Sequence, residues 1–208
     1  CSGYGGLERG LDLAGVKHRV IAYVEIEAFA IANLVAKMES GQLVPAPIFT
    51  DLKTFPAHLF RDCVDIITGG YPCQPFSAAG KRLGTEDPRH LWPFIRRHIE
   101  SIRPVQCFFE NVEGHISLGL REVIGELEQD GYSTTWGIFS ASEVGAAHQR
   151  KRVFILANRD TYNIDDRMQE REVSGREAAH PSGICTDVAD SMRKPKAVEP
   201  ERASQPNS

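Results

Sequence analysis

Apolar residues recur along this chain with two different periods, and the alternation sketches an order of strands and helices. Short β-branched or aromatic runs at residues 19–24, 48–51, 64–68 and 105–109 read as strands bounded by turn residues. Residues 132–141 alternate enough for a further strand, filled by Trp136 and Phe139, and an apolar strand ends the run at 144–156. Between them, helical spacing predicts helices over 7–13, 28–38, 90–102 and 118–127. In the third of these, Leu91, Phe94, Ile95, His98, Ile99 and Ile102 fall on one face and Arg103-Pro104 ends it. Strands alternating with helices in this way predict an α/β domain. From residue 158 to 208 large apolar residues are few and no period persists, so this stretch cannot bury a core and reads as loop or disorder.

The polar residues at the strand ends carry the candidate chemistry. Gly3, Tyr4, Gly5 and Gly6 form a glycine-rich turn that opens the first helix, which lets a ligand approach the backbone closely. A plain tight turn is the alternative. Glu25 ends the next strand, about 20 positions on, where a carboxylate can accept both hydroxyls of a ribose. Asp51 ends the following one, and there it can equally be a helix cap. The strand at 64–68 leads through Gly69-Gly70 to Pro72-Cys73-Gln74-Pro75-Phe76-Ser77, where two prolines fix the backbone around one thiol. A strand at 105–109 delivers Glu110, Asn111 and Val112, and Arg150 and Arg152 precede the last apolar run.

Composition changes this picture little. The chain has 208 residues, enough for a sizeable core, with 41% hydrophobic and 25% charged residues. There is no signal-peptide pattern and no run near the roughly 20 apolar residues that span a bilayer, so no membrane partner is expected. Five scattered cysteines without a C-x-x-C pair argue for reduced thiols in a cytosolic setting and against a zinc site. A net charge of −4 does not favour nucleic acid, so a DNA enzyme would have to gather its basic residues on one face.

The stretch G-Y-P-C-Q-P-F-S resembles the nucleophile motif of the DNA cytosine-5 methyltransferases of bacterial or phage type. E-N-V at 110–112 is similar to that family's catalytic glutamate motif, and Q-R-x-R-V-F-I to its arginine motif. The resemblance implies a Rossmann-like S-adenosylmethionine-dependent fold with a mostly parallel, doubly wound sheet. It implies a cofactor site at Gly3, Tyr4, Gly5, Gly6, Glu25, Ile26, Asp51, Leu52, Pro72 and Leu91. Cys73, Glu110, Arg150 and Arg152 would be catalytic, and Gln74, Pro75, Ser77, Asn111 and Val112 would meet the substrate. It covers residues 1–157 as the catalytic core. Residues 158–208 would begin a variable target-recognition region. The strand that normally precedes the glycines and two late motifs are not in the sequence, which is expected to be cut at both ends.

On this reading the Cys73 thiolate adds to carbon 6 of a cytosine flipped out of double-stranded DNA, and carbon 5 takes the methyl group. A thiolate can add only if the ring accepts electron density, so a carboxyl group aimed at ring nitrogen 3 is needed, and burial helps such a group keep its proton. Alternation along a strand would put Arg150 and Arg152 on one face, where they could order the glutamate or meet phosphate. Two other readings stay open: the same chemistry on transfer RNA, and a split or degenerate half that binds cofactor or a partner without turnover. A cognate restriction endonuclease or a complementary chain with the missing motifs would be the partner, and the cytoplasm of a bacterium or phage-infected cell the location.

Overall fold

The computed structural model describes residues 1–72 and 91–160. Cys73, Gln74, Pro75, Ser77, Lys81 and Arg82 lie outside the described residues, as does the loop-or-disorder reading of the segment after residue 160. The elements follow in the order expected from periodicity. Helix α1 (Gly6–Leu13) leads to strand β1 (Tyr23–Val24), α2 (Ala28–Glu39) and β2 (Ile48–Phe49). After two short 3₁₀ turns come β3 (Ile66–Gly70), α3 (Trp92–Ile102), β4 (Gln106–Val112), α4 (His115–Leu118) and α5 (Leu120–Gln129). Two antiparallel partners, β5 (Tyr132–Phe139) and β6 (Arg152–Arg159), finish the described chain.

β1 and β2 pair in parallel, and a second sheet runs in the order β3-β4-β6-β5. β3 is parallel to β4, whereas β6 is antiparallel to both β4 and β5. Within that sheet β6 is therefore the one reversed strand. Residues 1 and 2 bridge the two sheets: Ser2 N–H donates to the Val24 carbonyl, and the Cys1 carbonyl accepts from Gly70 N–H.

Helices cover both faces of this frame. α3 and α5 bury Ile95, Ile99, Val123 and Leu127 with Cys107, Phe109, Val153 and Ile155 of the sheet. α1 lies on the opposite face, where Thr68 Oγ1 donates to Glu8 Oε1 at 3.0 Å. Leu34 of α2 packs with Tyr23 in a second cluster.

Several boundaries shift for identifiable reasons. The strand predicted over 19–24 is paired only at Tyr23–Val24. The helix predicted from Leu118 is broken at Gly119, where a Cβ would lie 3.1 Å from the His115 ring. β4 does not stop before Glu110 but carries it inside the ladder, opposite Gly70 and Phe154. The last strand begins only at Arg152, since Arg150 has a φ of 28. Alternation therefore cannot put Arg150 and Arg152 on one strand face, and that expectation is corrected.

Candidate active site

The glycine turn and Glu25 form the first half of the site. Gly5 takes φ 74 as the cap of α1, and a Cβ there would lie 2.8 Å from Leu43 Cδ1. Around a Cβ added at Gly3 or Gly6, by contrast, nothing among the described residues lies within 4 Å. Glu25 is buried, and its carboxylate is fastened to that turn. Oε2 accepts from Gly3 N–H at 2.7 Å. Oε1 accepts from the N–H groups of Ile26 and Glu27 at 3.0 and 3.1 Å. Burial alone would raise its pKa, but the Gly3 and Glu27 N–H groups hold it below its ordinary value. Ile26 and Tyr4 stand exposed on either side.

Asp51 follows β2, next to the end of β1. Its Oδ1 accepts from Lys53 N–H at 2.8 Å, so it does cap a turn, as its residue type allowed. The Leu52 carbonyl is within 2.7 Å of His98 Nε2, which ties this turn to α3. Burial lowers the His98 pKa, and the neighbouring Arg97 adds to this while the Leu52 carbonyl opposes it. Leu52 and Leu91 pack against the main core from its margin, while Pro72 is exposed.

The second half sits at the ends of β3 and β4. Arg152 Nε lies 2.5 Å from Glu110 Oε1, an ion pair made across the β4–β6 ladder. Gly70 faces Glu110 in register, and a Cβ there would approach Glu110 Oε2 to 3.2 Å. Glycine at this position thus leaves room for the carboxylate. Glu110 is not buried as expected: its side chain is 29% exposed. Arg150 is exposed ahead of β6 and apart from this pair's ladder. Val112 is exposed at the strand end, whereas Asn111 is buried, with its Nδ2 donating to the Tyr71 carbonyl at 3.1 Å.

Two residues at this end of the sheet escaped the sequence reading. Tyr71 and His115 are both buried and share a 2.9 Å hydrogen bond between Oη and Nε2. An aromatic residue before the Cys73 motif was the one visible signal; nothing local pairs it with a histidine so far along the chain. Among the other cysteines, Cys107 lies wholly in the core, where burial pushes its thiol pKa far up and leaves it unreactive. Among the described residues, Cys1 and Cys107 are free thiols. Among the described residues no cluster could hold a metal ion, and no helix is long and apolar enough to cross a membrane.

Comparison with known proteins meets this geometry. The family described as C-5 cytosine-specific DNA methylase matches residues 1–205. The type II methyltransferase M.NgoMIV of Neisseria gonorrhoeae is 31% identical over 166 residues, covering 78% of this chain and 51% of that protein. M.NaeI of Lentzea aerocolonigenes is 32% identical, covering 76% of this chain and 38% of its own length. The chain thus spans about half or less of these relatives. Among solved structures, the S. pombe Dnmt2 methyltransferase is similar at TM-score 0.62 and 27% identity, covering 88% of this chain and 55% of that one. A Spodoptera frugiperda DNMT2 mutant is similar in fold at TM-score 0.63 and 23% identity, covering 78% and 49% respectively.

Proposed function

The chain belongs to the C-5 cytosine-specific DNA methylase family, and from that premise we propose that it methylates carbon 5 of cytosine in double-stranded DNA through a covalent adduct on Cys73. The observation that carries the reading is the Glu110–Arg152 ion pair held against Gly70, at the end of the strand that leads into Cys73. An acid positioned by an arginine, beside the route to a thiol, is what addition to an electron-poor ring requires.

S-Adenosylmethionine, when bound, supplies an electrophilic methyl group. The described residues fit it: none of them lies within 4 Å of a Cβ added at Gly3 or Gly6, which leaves room for a ligand against the backbone. Tyr4 and Gly5 shape that turn. Glu25 would receive the ribose hydroxyls, with Ile26 exposed alongside, and Asp51 with Leu52 would take the base from the neighbouring strand end. Pro72 and Leu91 would close the far side.

The target base must leave the duplex, because a thiolate cannot reach carbon 6 within the stack. Cys73 sulfur forms a bond to carbon 6, and the ring's electrons move toward nitrogen 3, where Glu110 donates a hydrogen bond or proton. Carbon 5 would then take the methyl group, whose bond to the cofactor's sulfonium sulfur breaks with the electron pair staying on that sulfur. Water takes the carbon 5 proton, the freed electron pair restores the carbon 5–carbon 6 double bond as the sulfur–carbon 6 bond breaks and the thiolate leaves, and the proton on nitrogen 3 returns to Glu110. Arg152 holds Glu110 for this work, and Arg150 serves phosphate or base from the loop ahead of β6. Gln74, Pro75 and Ser77 would shape the wall around the base, with Asn111 and Val112 beneath it. Residues 1–157 would be the catalytic core, and the residues after them the start of target recognition. A cognate restriction endonuclease, or a complementary chain carrying later motifs, fits the type II designation of the relatives. The cytoplasm, where such DNA lies, is the proposed site of action.

Duplex DNA carrying 5-fluorocytosine tests the proposal, since fluorine cannot leave as the proton does. With S-adenosylmethionine present, the protein should be trapped as an adduct that maps to Cys73 and is absent in Cys73→Ala. Attachment through Cys63 or Cys107, or trapping on RNA in preference to DNA, would sink it.

A further inference from the structure

Tyr71 is the second residue before Cys73 and the last described residue but one on that side of it. It leaves β3 directly after Gly70, and among the described residues two hydrogen bonds hold its position. At the backbone, Asn111 Nδ2 donates to its carbonyl at 3.1 Å, while Asn111 Oδ1 accepts from Val112 N–H at 2.8 Å, so the amide is oriented by its own strand. At the far end of the side chain, Tyr71 Oη and His115 Nε2 share the 2.9 Å hydrogen bond. Between these points the ring is packed edge-on to Phe109 and His115 and tilted against Trp92, with centroids 5.4 to 5.8 Å apart.

A buried hydroxyl or imidazole left alone is costly, and the two groups here answer each other. Burial lowers the His115 pKa, which keeps the ring neutral, so one nitrogen can accept while the other donates. His115 opens α4 immediately after the strand that bears Glu110, so the same hydrogen bond links the acid's strand to the chain entering Cys73.

We propose that His115 is a positioning residue for the nucleophile: through Tyr71 it fixes where the chain enters Cys73 relative to Glu110. The inference rests on Cys73 being the nucleophile. Displacing a reacting group by even 1 Å can cost on the order of a hundredfold in rate, so a lost hydrogen bond at this root should show in the chemical step.

The test measures the rate of adduct formation with 5-fluorocytosine DNA at saturating S-adenosylmethionine, together with cofactor affinity and thermal midpoint. Tyr71→Phe keeps the packing and deletes only Oη. It should slow adduct formation about tenfold or more, with cofactor affinity unchanged. His115→Leu should slow it similarly, and His115→Gln, which returns a nitrogen near the Nε2 position, should recover most of the rate. If His115→Leu does not fold, Tyr71→Phe decides alone. Adduct formation at the wild-type rate in folded Tyr71→Phe overturns the positioning role and leaves the Cys73 assignment standing. A wild-type protein that forms no adduct overturns the Cys73 assignment, and the positioning role with it.

Discussion

Replacing Glu25 by glutamine tests whether this carboxylate builds the cofactor cradle as well as meeting the cofactor. The side chain keeps its length, but one oxygen becomes an NH₂ group. The amide oxygen can still accept from Ile26 and Glu27, or from Gly3, but not from both sides at once. Ile26 and Glu27 are exposed, so water can replace the lost acceptor there. Gly3 is half-buried, and its N–H would then face another donor. Losing a charged acceptor at one partly buried N–H costs about 1–3 kcal/mol of stability. Displacing the turn should also weaken S-adenosylmethionine by about 1–3 kcal/mol, or roughly 5- to 150-fold. The pH dependence gives an independent check. The folded pKa lies below the ordinary value of 4.5, so the carboxylate's contribution is full above that value and is lost as pH falls through the folded pKa. Urea unfolding of wild type and Glu25→Gln should therefore differ by a constant amount from about pH 7 to pH 5, and the two should converge in more acid solution. Calorimetry with S-adenosylmethionine supplies the affinity arm. Equal stability at neutral pH, or a difference that persists unchanged well below pH 4.5, would refute the view that Glu25 holds the turn.

Arg152→Met should lower single-turnover methylation about a hundredfold by releasing Glu110. It should change stability by no more than about 1 kcal/mol, because the pair is partly exposed; unchanged turnover would remove Arg152 from the site. Gly5→Ala should destabilise the protein by about 1–3 kcal/mol in urea, since the residue must hold φ 74 and its Cβ would meet Leu43. A neutral result would show that Leu43 and the turn relax together.

Local physics makes much of this protein readable without coordinates. Helices α1, α2 and α3 begin and end within a residue or two of where apolar spacing and glycine or proline placed them. Glu25 and Asp51 lie beside strand ends because turn residues and β-branched runs mark those ends in the chain itself. Cys73 stands out for the same reason, by the prolines on either side.

What the chain could not show is which distant residues face each other. The pairing of Arg152 with Glu110 depends on β6 entering antiparallel between β4 and β5, and a slip of β6 by one residue would turn Arg152 to the face away from Glu110. Arg150 looked equivalent in sequence, but its left-handed backbone ends the alternation before the strand begins. Glu25 gave no local sign that tertiary closure would bring Gly3 onto one of its oxygens while its own loop bonds the other. Tyr71 and His115 meet only because β3 and β4 are neighbours and α4 folds back over them. Periodicity is a property of a few adjacent residues, whereas these contacts are set by sheet register and chain reversal, which local spacing does not encode.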